Sequence, residues 1–333
     1  MTPPVVVAIT GYGVAGQLHA QLAASRPDLT IAAIVDPDPA RRRQARHDHP
    51  TAIALPHLSA VRSPVDLVVI ASPPNSHDDD TRAAIVDHNA HVLCEKPAVL
   101  DIDSGRLTHQ LAHAQGLLLT PVHNYLHSPT IRRIHHLIDT NTLGTLTRIT
   151  IDITRTQPST AHSPWRSTPA HGAGILNDHG PHALYLTHHL TGHPTNTVSC
   201  TTSGPPQAEH SAALQLTLTD TGTTANITMT WNGQQRRTRL HIHGTRATLA
   251  LDAGHLTIRT GNIERHEPAD NLADPGHTHT TWTHALHTDT IARINHTPTH
   301  ADTWHDALIV AETLNAARLS AKHNGRTIPL TNN

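Results

Sequence analysis

From Pro4 to about Val122, short apolar runs rich in β-branched residues alternate with longer amphipathic stretches, the pattern of strand–helix–strand units on a parallel sheet. VVVAIT at 5–10 reads as a buried strand, 14–25 as a helix and TIAAIVD at 30–36 as the next strand. Further strands are predicted over 66–72 and 91–96, with a helix near 79–88 between them. A last one at 116–122 follows another helix. This is a doubly wound α/β half.

Beyond a helix near 128–140 the pattern changes to threonine-rich strands whose faces alternate, at 147–156, 211–220, 223–231, 236–245 and 247–252, and these predict an antiparallel or mixed sheet. One helix is expected over 176–190, closed by Gly192, and a long amphipathic helix over 301–323, closed by Gly325. The segment 157–171 is a Pro/Ser/Thr-rich loop, of the kind that serves as a lid or touches substrate. The fold class expected is therefore α/β. It combines an N-terminal Rossmann doubly wound parallel sheet with a C-terminal α+β domain carrying a large, mostly antiparallel open sheet. The boundaries expected are 1–122 and 123–333, with the last helix packing back on the first domain. The length of 333 residues suits two cores better than one.

Charge and composition narrow the partners. A formal net charge of −2 without long single-sign runs gives no footprint for nucleic acid and no basic face for a membrane, which favours small, near-neutral substrates. Cys94 and Cys200 are too few for a disulfide framework and too far apart for a C-x-x-C site, so a cytoplasmic, reducing location is expected. No apolar run reaches the ~18 residues of a membrane span, and MTPPVVVAIT lacks the cationic start of a signal peptide. Phenylalanine is absent and histidine occurs 33 times. Pairs such as His188/His189, His241/His243 and His277/His279 resemble metal ligands, but they lie among threonines with no C-x-x-C or H-E-x-x-H, and no metal site is assigned.

The strongest local motif is Gly11-Tyr12-Gly13-Val14-Ala15-Gly16, placed where a strand ends and a helix begins. Gly11 permits a tight turn, Gly13 lets the backbone approach a pyrophosphate, Gly16 lets the helix pack closely, and the helix N-terminus offers N–H groups to the anion. Asp36 ends the second strand at the spacing suited to a ribose 2′-hydroxyl, which favours NAD. Arg41, Arg42 and Arg43 could attract a 2′-phosphate, so NADP stays open, although a helix after Pro39 would point them to solvent.

In wording and order, GYGVAGQLHA (11–20), ASPPNSH (71–77), CEKPAVLD (94–101), GILNDHGPHALYL (174–186) and the final helix followed by NGRTIPL (324–330) resemble the Gfo/Idh/MocA family, which includes glucose-fructose oxidoreductase and inositol dehydrogenases. The resemblance spans nearly the whole chain. It implies an NAD(P)-dependent oxidoreductase acting on a carbinol or carbonyl carbon of a sugar, cyclitol or related polyol. Lys96, Asp178 and His182 would be its catalytic trio, and Ser72, Pro73, Asn75, His77, Glu95 and Lys96 would lie at the cofactor. It also implies that the open sheet of the second domain mediates a homo-oligomer, a dimer or a tetramer.

The chemistry agrees with that carry-over. Moving a hydride between a carbinol carbon and nicotinamide requires the hydroxyl proton to leave or arrive in step, and a histidine such as His182 suits the task. Asp178, one helical turn earlier, can orient the imidazole, while Lys96 at a strand end can offset charge developing on the reacting oxygen. Other readings stay open at this point. An Asp-to-His pair at helical spacing can arise by chance in so histidine-rich a chain, Asp178 can cap the helix that Pro181 begins, and residues 72–77 can be a plain turn. Trp165 and Arg166 are candidate substrate contacts or surface decoration. The chain departs from the family at Asn124-Tyr125-Leu126-His127, where a basic residue is frequent, and at Gly172-Ala173-Gly174, where the family often has three glycines, so Tyr125, His127 and His179 become candidates for an altered pocket. Reduction of an imine or enone is a second enzymatic reading, and a non-catalytic NAD-binding regulator is one of another class.

Overall fold

The computed structural model describes residues 3–158, 166, 168, 173–206, 208–219, 222–274, 277–295 and 303–330. Trp165, Gly172 and most of the 157–171 loop lie outside the described residues. The chain divides into two compact units, 1–122 with 283–308 and 123–282 with 309–333.

The first unit runs β1 (Val5–Thr10), α1 (Val14–Ala24), β2 (Leu29–Val35), α2 (Pro39–Asp48), β3 (Ile53–Leu55), β4 (Leu67–Ile70), α3 (His77–Val86), β5 (His91–Cys94), α4 (Ile102–Ala114) and β6 (Leu119–Pro121). Its six strands pair in parallel in the order 3-2-1-4-5-6. Strands buried on both faces must be apolar throughout, which is why Leu67–Ile70 is an unbroken hydrophobic run with every residue buried. The order reverses between β1 and β4, where the first crossover leaves one side of the sheet and the next takes the other. Such a reversal opens a crevice beyond the carboxyl ends of the strands.

The second unit contains α5 (Pro129–Asp139), β7 (Leu146–Thr154), α6 (Ile175–Asp178) and α7 (Gly180–Thr191), then β8 (Thr195–Ser203), β9 (Ser211–Leu218), β10 (Thr224–Thr230) and β11 (Arg237–Gly244). It continues through β12 (Thr248–Asp252), β13 (His255–Thr260) and β14 (Ile263–Pro268). The unit boundaries at 282/283 and 308/309 fall inside α8 (His277–Asn295) and α9 (Thr303–Lys322), and β15 (Ile328–Pro329) closes the second sheet. Nine strands lie in the order 14-13-12-11-7-10-9-8-15, and all pairs are antiparallel except β7 with β10. Strand β9 shows the logic: Ala212, Leu214, Leu216 and Leu218 are buried, while the residues between them are not. With no phenylalanine to fill space, the core is Ile149, Ile151, Leu214, Ile227 and Leu240, anchored by Trp282 and Tyr125. Each such side chain contributes roughly 1.5–3 kcal/mol on burial.

The helix expected over 176–190 is two helices, α6 and α7, meeting at His179. Pro181 has no N–H to continue the first ladder and its ring prefers the opening turn of a helix, so the chain restarts there. The stops hold: Gly192 and Gly325 adopt φ of +71° and +82°. Helix α8 and strands β8, β13 and β14 were not expected from the sequence: histidine and threonine fill α8, threonine and serine fill β8, β13 has only Leu256 and Ile258 as apolar residues, and β14 is charged and largely exposed.

Candidate active site

In the first unit, the candidate cofactor residues follow the carboxyl ends of β1, β2, β4 and β5. Gly11 hands β1 to α1 at φ +80°, and a Cβ there would sit 2.5 Å from the Ala71 carbonyl oxygen. At Gly16 a Cβ would meet the Gly11 oxygen at 1.8 Å, so glycine alone lets α1 start this close to the turn. Gly13 is different, for a Cβ there would touch only the tip of the Arg41 side chain at 3.3 Å. The first turn of α1 carries no acidic residue and no side-chain cap, leaving its N–H groups to an anion. Val14 is 74% exposed at that edge, whereas Tyr12 is buried and donates its hydroxyl to Asp48 at 2.9 Å. Ala15 lies between these positions, half-buried on the first turn.

Asp36 is buried, and its carboxylate accepts the Tyr12 N–H at 2.7 Å and the Asp38 N–H at 2.8 Å. It borders a cavity of about 410 Å³ lined by Gly11, Asp36, Asp38, Arg41, Leu58 and Ser72, among others. The arginines depart from expectation. Arg43 alone is exposed, while Arg41 lines the cavity 3.6 Å from the Asp36 carboxylate, and Arg42 donates to the carbonyls of Asp36 and Pro37 at 2.7 Å. Proline at the start of α2 fixes the helix direction so that its first turn faces the end of β2, which aims these two side chains inward.

Ser72 donates to Asp80 at 2.6 Å, and Thr10 reaches the same oxygen at 3.3 Å. Burial pushes the Asp80 carboxyl above its ordinary range. Pro73 and Asn75 are exposed beside the cavity. His77 lies beneath them, 1% exposed, with Nδ1 2.8 Å from the Pro97 carbonyl oxygen and Nε2 2.8 Å from that of Ser72. It joins the loop after β4 to the segment after β5. There Glu95 accepts the Lys96 N–H at 3.1 Å and lies 3.2 Å from Nε2 of His19, which in turn meets His287 at 2.8 Å. Burial pushes the Glu95 carboxyl up, but the His19 hydrogen bond and the charges of His19 and Lys96 outweigh it and hold the carboxyl below its usual range. Lys96 itself is half-buried.

In the second unit, Asp178 ends α6, with only 3% exposed, and receives Arg166 through two hydrogen bonds of 2.7 and 3.2 Å. His179 lies 3.4 Å from the same carboxylate. His182, in the first turn of α7, presents Nδ1 to the Tyr185 hydroxyl at 2.9 Å, and the Tyr125 ring stacks on its imidazole at 4.5 Å. Glu209 sets the start of α6: its backbone oxygen accepts the Ile175 N–H and its side chain the Leu176 N–H, and it fills the space a Cβ of Gly174 would need. Arg318 on α9 bonds Asn177. Sequence reasoning missed Tyr185, Glu209, His19, His287 and Asp80. His19 and Tyr185 each stand three residues past a chosen residue, Gly16 and His182, a helical spacing that could have flagged them; Asp80 and Glu209 carried no signal.

Among the described residues, no group of three or more His, Cys, Asp or Glu could hold a metal ion, and no helix is long and apolar enough to cross a membrane. The residues around the glycine turn do fit a dinucleotide. A bare Gly13 flank, an uncapped helix start and a carboxylate at the cavity rim are what a pyrophosphate and its ribose need.

Comparison with known proteins gives two family matches. Residues 5–123 match the oxidoreductase family, NAD-binding Rossmann fold, and residues 131–250 match the GFO/IDH/MocA C-terminal domain. The rhizopine catabolism protein MocA of Rhizobium meliloti is 29% identical over 189 residues, 56% of this chain and 58% of that protein. The matching segments span between 35% and 68% of the lengths of the curated relatives. Among solved structures, an oxidoreductase from Agrobacterium radiobacter in complex with NAD+, L-tartaric acid and magnesium superposes with a TM-score of 0.87 at 19% identity, over 98% of each chain. A scyllo-inositol dehydrogenase from Lactobacillus casei, with bound NAD(H) and scyllo-inositol, gives 0.83 at 18% identity, over 98% of this chain and 99% of that one. At such identities these two show the shared fold.

Proposed function

The chain belongs to the Gfo/Idh/MocA family of NAD-binding oxidoreductases, and on that premise we propose that it transfers a hydride between nicotinamide and a carbinol or carbonyl carbon of a sugar, cyclitol or related polyol. Bound NAD supplies the hydride acceptor or donor. The rest of the chemistry falls to side chains. His182 takes or returns the hydroxyl proton, Lys96 offsets the charge that develops on the reacting oxygen, and Asp178, held by Arg166 through two hydrogen bonds, completes the catalytic trio. Tyr125, Arg166 and His179 contribute to the polyol pocket. The observation that carries the reading is the His182 ring, held at Nδ1 by Tyr185, so that proton exchange with substrate passes through Nε2. A near-neutral chain suits an uncharged polyol. Two buried free cysteines suit a reducing cytoplasm, and the long open sheet suits a homo-oligomer.

The test is turnover of NAD with a polyol panel that includes scyllo-inositol, read by the ultraviolet absorbance of the reduced nicotinamide. Wild-type enzyme is expected to turn over at least one such alcohol, and His182→Ala is expected to lose about 100-fold or more in kcat with NAD affinity retained. Near-normal turnover by the variant would reject the role of His182, and activity confined to imines or enones would reject the polyol.

A further inference from the structure

Within one turn of the candidate base lie Asp178 on one side and Tyr185 on the other, and the fold engages them differently. Asp178 is held by Arg166 through both carboxylate oxygens and lies against His179. The contact at Nδ1 of His182 is the phenol of Tyr185, at 2.9 Å and buried. That phenol is itself anchored. Its oxygen accepts the backbone N–H of Tyr125 at 3.3 Å, and its ring stacks on His123 at 4.2 Å, with the planes 24° apart. Tyr125 lies on the imidazole at 4.5 Å and 16°, donates its own hydroxyl to the Leu272 carbonyl at 3.3 Å and meets Trp282 edge-on at 5.2 Å. His182 is thus gripped at one nitrogen and over one face by two tyrosines, which are themselves fixed by the core.

We propose that Tyr185 is the positioning residue for His182. The inference rests on the reading of His182 as the proton-exchanging group. Two other candidates are weaker for this role. Asp178 is engaged by a guanidinium, and Tyr125 offers the imidazole a ring face rather than a hydrogen bond. A flip of the imidazole would put Cδ2 where Nδ1 now meets the phenol, so the bond selects one ring orientation and directs proton exchange to Nε2. Because a phenol is neutral at working pH, it orients the imidazole without the full negative charge that a carboxylate would set against the imidazolium. The arriving proton is held loosely and can be returned, as a reversible alcohol–ketone interconversion requires.

Tyr185→Phe removes one oxygen and keeps the ring on His123. With NAD and the polyol that the enzyme turns over best, kcat is expected to fall about tenfold, the scale of one lost hydrogen bond. KM for the polyol and Kd for NAD are expected to stay within about twofold, and the solvent deuterium isotope effect on kcat to rise because proton transfer becomes slower. A purely structural role would lower stability and leave that isotope effect unchanged. If the variant folds poorly, nitrogen-15 histidine spectra of the wild-type protein serve instead: the Nδ1 resonance of His182, assigned by its loss in His182→Ala, must carry the shift of a hydrogen-bonded nitrogen. Failure of His182→Ala with an unimpaired Tyr185→Phe overturns this inference and leaves the base intact; a normal His182→Ala overturns both.

Discussion

Three glycines of one turn should fail in three different ways when each is replaced by alanine. At Gly116, φ is +68° with nothing within 4 Å of a new Cβ, so Gly116→Ala isolates backbone strain, roughly 1–2 kcal/mol. Gly11→Ala carries the same strain at φ +80° and must also displace the Ala71 carbonyl 2.5 Å away. Overpacking of that kind costs about 1–3 kcal/mol, so the total is on the order of 2–5 kcal/mol. Gly16→Ala has the steric part alone, against the Gly11 oxygen at 1.8 Å, and regains up to about 1 kcal/mol of helix propensity. Gly13→Ala meets only a flexible arginine tip in extended backbone, so its stability should stay within about 0.5 kcal/mol of wild type. If a pyrophosphate docks at this turn, the new Cβ meets it, and NAD affinity should fall at least about tenfold. Urea unfolding of the NAD-free protein and calorimetric titration with NAD measure the two effects separately. The reasoning fails if Gly13→Ala binds NAD as wild type does, or if Gly11→Ala is as stable as Gly116→Ala.

Two further outcomes follow from charges in the first unit. Among the described residues lining the Asp36 cavity, Arg41 is the sole arginine or lysine, so Arg41→Ala should weaken NADP binding about tenfold more than NAD binding; an unchanged ratio of the two dissociation constants would show that the guanidinium merely neutralises Asp36. Glu95 is held below its ordinary value of 4.5 in the folded chain. Its ionised form therefore adds stability that is fully present above that value and is lost as pH falls through the lowered one. The stability gap between wild type and Glu95→Gln, followed by urea unfolding from neutral pH downwards, should be constant at first and shrink in acid, and a gap that widens instead would contradict the sign.

Much of this protein was legible in its residues because local rules governed them. The strand ends at Thr10, Val35, Ile70 and Cys94 follow from apolar runs broken by glycine, aspartate, serine and glutamate, and they place every chosen cofactor residue of the first unit at one edge of the sheet. The stops at Gly192 and Gly325 follow from the left-handed backbone that glycine alone adopts cheaply. What escaped was decided by partners distant in sequence. Arg41 and Arg42 turn inward because the end of β2 offers a carboxylate and two carbonyls, which no reading of an arginine run supplies. His77 is a buried tie between the loops after β4 and β5 because these strands are neighbours in the sheet, which its place in the sequence alone does not show.

The same division applies around His182. Spacing alone put Asp178 one turn from it, whereas the restart of the helix at Pro181 and the hold of Arg166 on the carboxylate appear only in the folded chain. Tyr185 stood at a helical spacing too, but only the packing of Tyr125 and His123 against it shows why its hydroxyl is held there. Periodicity and glycine chemistry act within a few residues, so the order of residues determines them by itself. Hydrogen-bond partners and burial depend on which segments meet in space, and that was left to the tertiary structure.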